Sequence, residues 1–336
     1  MNYLNIVLKG TQNKEHIIRA EAARLLGEIG NKKAIPYLVN MLKTDQWYSK
    51  VTAVYSLEKI GDKKALPVLR AISKDPLVFD FSGMYNHDMI RIAATVALLK
   101  MGDKKAVENI MDLINIGTSQ GFLELSRYIL ELPESNYNFR LRHVVTFEFV
   151  SQYFKQFRRG LHVRALDALP YFKTKQSLNI IIECTQDFSR YVRAKAGEAL
   201  LRYADSRENR EILLNMLKVE KEIFTKIRLA VLLDFRNAGE IIKEGLQDGD
   251  YFIRATALDA IADLKLYEFS DEAIKYLTDE SFYVKLCAIE TLERLKYKKP
   301  SKQIERMIED KNYRVCMQAA KYCLKMRAIP KYFPLI

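Results

Sequence analysis

The residues best suited to chemistry in this sequence are bases that alternate with aromatic side chains between positions 140 and 164. Bases and aromatic rings at helical spacing can pair with a nucleic-acid backbone and stack on its bases. A core-facing aromatic stripe beside a solvated basic face has the same spacing, and we favour that interpretation. The six bases of this cluster are Arg140, Arg142, Lys155, Arg158, Arg159 and Arg164.

Signatures of catalysis and of metal binding are missing from the sequence. The four histidines show no metal-ligand spacing among themselves or with the four cysteines. The sequence also lacks a Gly-rich phosphate loop, a nucleophile elbow and a His-Glu-x-x-His helix. We therefore expect a protein that is not an enzyme and that carries no metal or cofactor.

The charge of the chain bears on the kind of partner it meets. The 336 residues include 54 bases and 42 acids, which gives a formal net charge of +12 and a pI near 9.3. Such an excess favours an acidic partner, whether nucleic acid, an anionic membrane surface or an acidic protein face. The 13 glycines and 8 prolines leave little sequence for long linkers, so we expect one continuous body.

The cysteines and the first residues of the sequence indicate the cellular compartment of the protein. Cys184, Cys287, Cys316 and Cys323 lie in apolar helical contexts without paired spacing, so free buried thiols of a reducing compartment are expected. The first ten residues hold only a short apolar run with no basic segment before it, too brief for a signal peptide or a membrane span. The sequence predicts a soluble, cytoplasmic protein.

The candidate residues of this chain must be positioned by its secondary structure. The sequence contains a repeated element, which is clearest near the amino end. Residues 53–69 repeat residues 22–38 with similar residue types at nearly every position, at an offset of 31. Each copy joins two apolar runs through a Gly-Asn or Gly-Asp turn, which is typical of a helical repeat. For the first copy we predict helix A over 14–28, a turn over 29–33 and helix B over 34–43. Pro36 suits the first turn of helix B.

The start of helix A carries a second recurring pattern, an aliphatic or small residue followed by a base and, three positions later, a small apolar residue. An acidic residue often precedes the base by five or six positions, as Asp45 and Asp187 do. We expect each acid to cap a turn and to pair with a base of its own or an adjacent repeat, although a row of bases could also bind an anion. The bases of this ladder are Arg19, Lys50, Arg91, Arg193, Arg228, Arg254 and Lys285.

This pattern resembles the HEAT repeat family, in particular its short bacterial form of the phycobilisome-lyase type. The resemblance implies an all-α fold, an α-solenoid of about nine to ten helical hairpins whose B helices line a concave surface. It is close over residues 14–116, good but looser over 161–336 and poor over 117–160. We therefore predict N-terminal HEAT-like repeats at 1–116, a degenerate, aromatic and basic region at 117–160 and C-terminal HEAT-like repeats at 161–336. Residues 3–9 resemble the B helix at 37–43, so the chain opens on a half-repeat, which could be a cap or the cut edge of a longer protein.

The resemblance implies no particular chemistry, and three functions stay open. The first is a non-catalytic scaffold or adaptor that binds a protein partner through its concave face. The second is a nucleic-acid binder, including proteins like the alkylpurine DNA glycosylases, and the third is a bilin lyase subunit. On the B helices, the residues expected to meet a partner are Tyr37, Asn40, Lys43, Arg70 and Lys74.

Overall fold

A computed structural model shows a chain built from helices. It describes residues 2–74, 87–110 apart from 104 and 107, 113, 146–151, 159–234, 238–297, 299 and 301–328. All the regular elements within these residues are helices, so the predicted all-α fold is confirmed. Much of the degenerate region at 117–160 lies outside the described residues, and its assignment stays a prediction.

The helices follow one another in pairs along the chain. The first six are α1 (Tyr3–Gly10), α2 (His16–Ile29), α3 (Ile35–Thr44), α4 (Trp47–Ile60), α5 (Leu66–Lys74) and α6 (His87–Lys100). The next eight are α7 (Phe147–Ser151), α8 (Arg159–Ala168), α9 (Lys175–Cys184), α10 (Arg190–Tyr203), α11 (Arg207–Val219), α12 (Ile223–Leu232), α13 (Gly239–Leu246) and α14 (Tyr251–Asp263). The last four are α15 (Ser270–Lys275), α16 (Phe282–Arg294), α17 (Ser301–Arg306) and α18 (Tyr313–Ala328).

The chain divides into two compact units. Unit 1 contains residues 1–118 and 267–336, and unit 2 contains residues 119–266. Unit 1 therefore combines the first repeats of the chain with the last ones. This division arises because α18 packs against α1 and α2.

The turn between helices A and B forms as its residues predict. Gly30 ends α2 in the left-handed conformation, at φ 70°, and its N–H donates to the carbonyl of Leu26. The Asn31 side chain then accepts from the backbone N–H of Lys33, which caps a 3-10 turn that leads into α3. The next repeat uses Gly61 and Asp62 in the same way.

Later repeats place other residues in this left-handed position. Lys265 has φ 54° and Lys296 has φ 55° after α14 and α16, respectively. A side chain in this conformation costs about 1 kcal/mol. We expect Lys265→Gly to raise the free energy of unfolding by about 0.5–1 kcal/mol in a urea titration, the gain being reduced by the flexibility of glycine when unfolded. Gly30→Lys is the matched reverse change and should destabilise; a neutral result for both variants would contradict the argument.

Each repeat packs by burying one face of both helices. In unit 1 the A helices α2, α4 and α6 pack against one another in sequence, and the B helices α1, α3 and α5 each pack on the A helix that follows. Leu26, Leu38 and Leu57 are fully or almost fully buried in this core. Gly27 allows the close approach of α2 and α4, because a Cβ there would lie 2.8 Å from the Cα of Ser56.

The half-repeat at the amino end is completed by the last described helix. α18 packs on α16 as an A helix does and also on α1 and α2. The Tyr313 hydroxyl donates to the carbonyl of Ile6 at 2.8 Å, and Gly10 lies against the side chains of Met317 and Tyr313. We call the pair of α18 (helix A) and α1 (helix B) the composite repeat. It continues the array of unit 1 from α16 to α2.

The ladder bases connect successive inter-repeat turns. Arg19 donates through Nε and Nη2 to both oxygens of Asp45, at 2.7 Å each, and through Nη1 to the carbonyls of Asn13 and Lys14. Arg193 repeats this arrangement with Glu220 and with the carbonyls five and six positions before it. Arg19 and Arg193 therefore each join the turn before their own A helix to the turn after the B helix that follows.

Other members of the ladder keep part of this arrangement. Lys285 pairs with Asp310 at 3.1 Å, and Arg254 donates to the carbonyls five and six positions earlier. Cys316, which occupies the base position of the last repeat, places its thiol 2.9 Å from the carbonyl of Asp310. Arg228 differs, because it pairs with Glu198 on the preceding A helix at 2.6 Å.

In unit 2 the repeats also meet through aromatic rings. The A helices α10, α12 and α14 pack in sequence, and α9, α11 and α13 each pack on the A helix that follows. The ring of Phe224 lies 5.2 Å from that of Tyr191 and 5.7 Å from that of Phe252, so one ring from each of three A helices joins this cluster. Such contacts add to the burial that holds neighbouring repeats together.

Candidate partner-binding surface

The B helices of unit 1 differ from their neighbours in charge. α1, α3 and α5 contain Lys9, Lys43, Arg70 and Lys74 and no acidic residue. In contrast, the A helices α2 and α4 carry acids, and so do the later B helices α9, α11, α13, α15 and α17. We call the exposed side of α1, α3 and α5 the B-helix face. None of these three helices carries a carboxylate of its own to balance its bases.

Three lysines occupy equivalent places on the B-helix face. Lys9, Lys43 and Lys74 each lie in the last turn of their helix and are exposed. None has an ion pair with a residue that the structure describes. The helix dipole favours a cation at this end by about 0.3–1 kcal/mol, which accounts for a lysine in each last turn. It does not account for the lack of acids elsewhere on the three helices.

The other predicted contact residues of the B helices lie nearby. Asn40 is exposed and Tyr37 is half-buried on α3. Arg70, on α5, donates through Nε to Asp103 at 2.6 Å with half of its side chain exposed. This hydrogen bond and the charge of Arg70 hold the pKa of Asp103 below its usual value. Arg70 is therefore held in position by Asp103, whereas no described residue forms an ion pair with the three lysines.

The cluster of bases at 140–164 is largely outside the part of the chain that is described. Arg140, Arg142, Lys155 and Arg158 lie in undescribed segments. Arg159 begins α8, and Arg164 is half-buried on the same helix. A role for these bases in partner binding stays a prediction.

The ladder bases are placed for structure. In Arg19 the two carboxylate oxygens and the two backbone carbonyls take four of the five N–H donors of the guanidinium. Asp45, its partner, has only 2% of its side chain exposed. This geometry favours the interpretation that the ladder locks repeats together rather than binding an external anion.

Unit 2 has a cleft that the sequence did not indicate. It holds about 380 Å³ and lies beside the ion pair of Arg193 and Glu220. Phe188 and Val219 line it and are 87% and 73% exposed. An alignment of the turns could have found Phe188, because the equivalent position five residues before the base is polar or glycine at Lys14, Asp45 and Gly249. Two bases, Arg193 and Lys221, and two acids, Glu220 and Glu222, also line the cleft, so the charges on its walls balance.

The thiols are buried, as the sequence predicts, and burial sets their reactivity. All four cysteines are free and buried. Burial, helped by Asp187, raises the pKa of Cys184 to about 12, and burial beside Asp310 raises that of Cys316 to about 11. At pH 8 only about one Cys184 side chain in ten thousand is then a thiolate. We expect alkylation of the native protein to be slow and to become rapid in denaturant; rapid native labelling of Cys184 would contradict this.

Two further features do not occur among the described residues. No helix among them is long and apolar enough to cross a membrane. In the same residues no three side chains of histidine, cysteine, aspartate or glutamate come together as a metal site would require.

Comparisons with known proteins identify the repeats. HEAT repeats match residues 5–80 and 239–327. Phycocyanobilin lyase subunit alpha of Nostoc sp. strain PCC 7120 is 46% identical over 52 residues, a stretch that covers 16% of this chain and only 19% of that subunit.

Two solved structures align with most of this chain. Human deoxyhypusine hydroxylase aligns with 78% of this chain and 96% of its own at 14% identity and a TM-score of 0.34. The complex of CpcE and CpcF of phycocyanin lyase from Nostoc sp. PCC7120 aligns with 87% of this chain and 93% of that chain at 16% identity and a TM-score of 0.32. Likenesses of this size carry no conclusion about activity. Residues 5–80 and 239–327 are HEAT repeats, and the predicted resemblance to the HEAT repeat family is confirmed over these two stretches.

Proposed function

We propose that this chain is a non-catalytic HEAT scaffold that binds a protein partner through the B-helix face of unit 1. The observation that carries the proposal is the lack of any acid on α1, α3 and α5, together with the row of Lys9, Lys43 and Lys74. Repeat arrays present such rows on a rigid, extended surface, which suits the binding of another macromolecule. Tyr37 and Asn40 supply uncharged contacts between the lysines.

Such charges mainly increase the rate of association with a partner and fix how the partner is aligned on the surface. Exposed lysines raise the rate at which an oppositely charged partner meets the surface, and they exclude partners of like charge. Each exposed ion pair contributes only about 0.2–1 kcal/mol to stability of the complex, so several must act together. A row of equivalent lysines on successive repeats provides that repetition.

A nucleic-acid partner is the first alternative, because the chain carries a net charge of +12. A protein that neutralises several phosphates loses affinity steeply as salt rises from about 50 to 200 mM. Retention on duplex DNA only at the lowest salt would reject this alternative. Tight binding that persists at about 150 mM salt would support it.

A bilin lyase subunit is the second alternative, favoured by the 46% identity with phycocyanobilin lyase subunit alpha over 52 residues. It predicts that the purified chain changes the absorbance spectrum of free phycocyanobilin. An unchanged absorbance spectrum of phycocyanobilin at micromolar concentrations of the chain would exclude this alternative.

The proposed function is tested by charge reversal on the B-helix face. The variant Lys9→Glu, Lys43→Glu, Lys74→Glu is compared with Lys14→Glu, Lys59→Glu, Lys311→Glu, which changes the net charge equally at exposed positions off that face. Proteins that co-purify with the chain from its native cell are quantified for both variants. We expect a partner to be lost from the first variant and kept by the second; equal recovery with both would contradict the proposal.

A further inference from the structure

The composite repeat places a C-terminal B helix next to the B-helix face. α17 packs on α18, and α18 packs on α1. The hydroxyl of the buried Tyr3, on α1, donates to the carboxylate of Glu305, on α17. In unit 1 the B helices therefore follow the order α17, α1, α3, α5, although α17 and α1 lie at opposite ends of the sequence.

α17 continues the positive surface of its neighbours. Lys302 and Arg306 are exposed on this helix, and neither has an ion pair with a described residue. Its one acid, Glu305, is engaged by Tyr3. The row of uncompensated bases thus extends from α5 through α3 and α1 to α17.

We infer that the partner-binding surface is assembled from both ends of the chain and that its occupant is an acidic α-helix of a protein partner. This inference rests on the proposed function and specifies it. It requires that the composite repeat form, because the packing of α18 on α1 and the hydrogen bond from Tyr3 to Glu305 place α17, with Lys302 and Arg306, beside α1.

The spacing of the bases suits a helix laid across the row. The A helices of successive repeats pack on one another, and packed helices lie about 8–10 Å apart. Each B helix packs on the A helix that follows, so one base per B helix recurs at about the same interval. An α-helix rises 1.5 Å per residue, and carboxylates seven residues apart are separated by about 10.5 Å on one side of it. An acidic helix of about 22 residues, about 33 Å long, would therefore span all four B helices.

The surface is less suited to single-stranded nucleic acid. Proteins that bind such strands stack bases on exposed aromatic side chains between their basic residues. Among the described residues, the exposed large apolar side chains include Tyr48, Tyr191 and Tyr251 at the starts of A helices, and none lies on α1, α3, α5 or α17. Tyr37, the aromatic residue of α3, is half-buried, so the exposed side chains of this row offer bases without stacking rings.

A defined probe tests the inference. The probe is a labelled helical peptide of about 22 alanine-rich residues with glutamates every seven residues, and its binding is followed by fluorescence anisotropy at about 150 mM salt. Lys302→Glu, Arg306→Glu should weaken binding at least about fivefold, because two attractions become repulsions. The control Lys14→Glu, Lys311→Glu has the same net charge and should stay within about twofold of the unchanged protein. Thermal melting confirms that both variants are folded.

Three outcomes would overturn the inference. The first is an equal effect of both double variants on peptide binding. The second is equal binding of a peptide with the same glutamates gathered at one end, which would reject a helix laid across the row. The third is tighter binding of a 20-base-pair DNA duplex than of the peptide at the same salt, which would indicate nucleic acid.

The co-purification experiment of the proposed function, applied to both variants, separates this inference from that function. If Lys9→Glu, Lys43→Glu, Lys74→Glu loses the cellular partner while Lys302→Glu, Arg306→Glu keeps it, the B-helix face binds a partner without α17. The inference is then wrong and the proposed function stands. If neither variant loses the partner, both are wrong.

Discussion

Replacing Lys321 with methionine is expected to lower the free energy of unfolding at pH 7 by about 3–5 kcal/mol. Lys321 is only 1% exposed, on α18, and its Nζ lies 2.5 Å from Glu28 and 3.3 Å from Glu293. Glu28 belongs to α2 and Glu293 to α16, so this ammonium group joins the first repeats to the last. Removing it leaves two carboxylates close together with little water to solvate them.

The loss should depend on pH. Burial by itself would raise the pKa of Glu28, but the charges of Lys321 and Arg24 hold it below its ordinary value. In the unchanged protein, stability from this group is therefore present at neutral pH and is lost as pH falls below about 4.5. Without Lys321 much of that favourable charge is gone and the pKa of Glu28 rises. We expect the deficit of Lys321→Met in urea titrations to be smaller at pH 5 than at pH 7.

Lys325→Met is the matched control for this prediction. Lys325 also pairs with Glu293, at 3.0 Å, but 40% of its side chain is exposed. An exposed ion pair of this kind contributes at most about 1 kcal/mol. Equal losses for the two lysine variants, or no change of the Lys321→Met deficit with pH, would show that the buried charges are not placed as described.

Gly10→Val is expected to destabilise unit 1 by about 2–3 kcal/mol through the composite repeat. A Cβ at Gly10 would lie 2.4 Å from the sulfur of Met317 and 2.8 Å from the Cβ of Ala22. Helix propensity alone predicts the opposite, since valine is the better helix former. The measurement is the midpoint of urea unfolding, which should fall without a change of slope.

A double-mutant cycle checks that the contact with Met317 is the cause. Met317→Ala alone should destabilise by about 2–5 kcal/mol by leaving a cavity. The double variant Gly10→Val, Met317→Ala should lose at least about 1 kcal/mol less than the sum of the single losses, because the valine fills part of that cavity. Simple additivity would mean that α1 and α18 do not pack as described.

Local sequence features predicted the repeat unit well. Gly30 and Asn31 define the turn by conformation and capping, and the pattern around Arg19 anticipated a pair with Asp45. Each of these interactions depends on residue types at short or regularly repeated spacing. The same regularity is what the comparison with HEAT repeats detects.

The composite repeat could not be predicted in this way. The contact between Tyr313 and Ile6 joins residues 307 positions apart, and no regularity of the repeat pattern specifies which end meets which. The burial of Lys321 could not be predicted either, because a lysine on a helix normally extends into water. Its burial becomes evident only when α2 and α16 are placed on both sides of α18.

The candidate surface was predicted in part. Lys43 and Lys74 were expected to meet a partner because they lie on B helices, and the structure places both on an exposed face. Lys9, Lys302 and Arg306 were not among the expected contacts, since their alignment depends on the composite repeat. A row that crosses the ends of the chain is visible only in three dimensions.

The most direct test of the account is lysine footprinting of the complex with the acidic helical peptide. Brief acetylation followed by mass spectrometry measures the reactivity of each exposed lysine with and without peptide. The account predicts that Lys9, Lys43, Lys74 and Lys302 lose reactivity together, while Lys14, Lys59 and Lys311 keep theirs. Protection of the second group, or equal protection of both, would contradict the claim that these B helices form one binding surface.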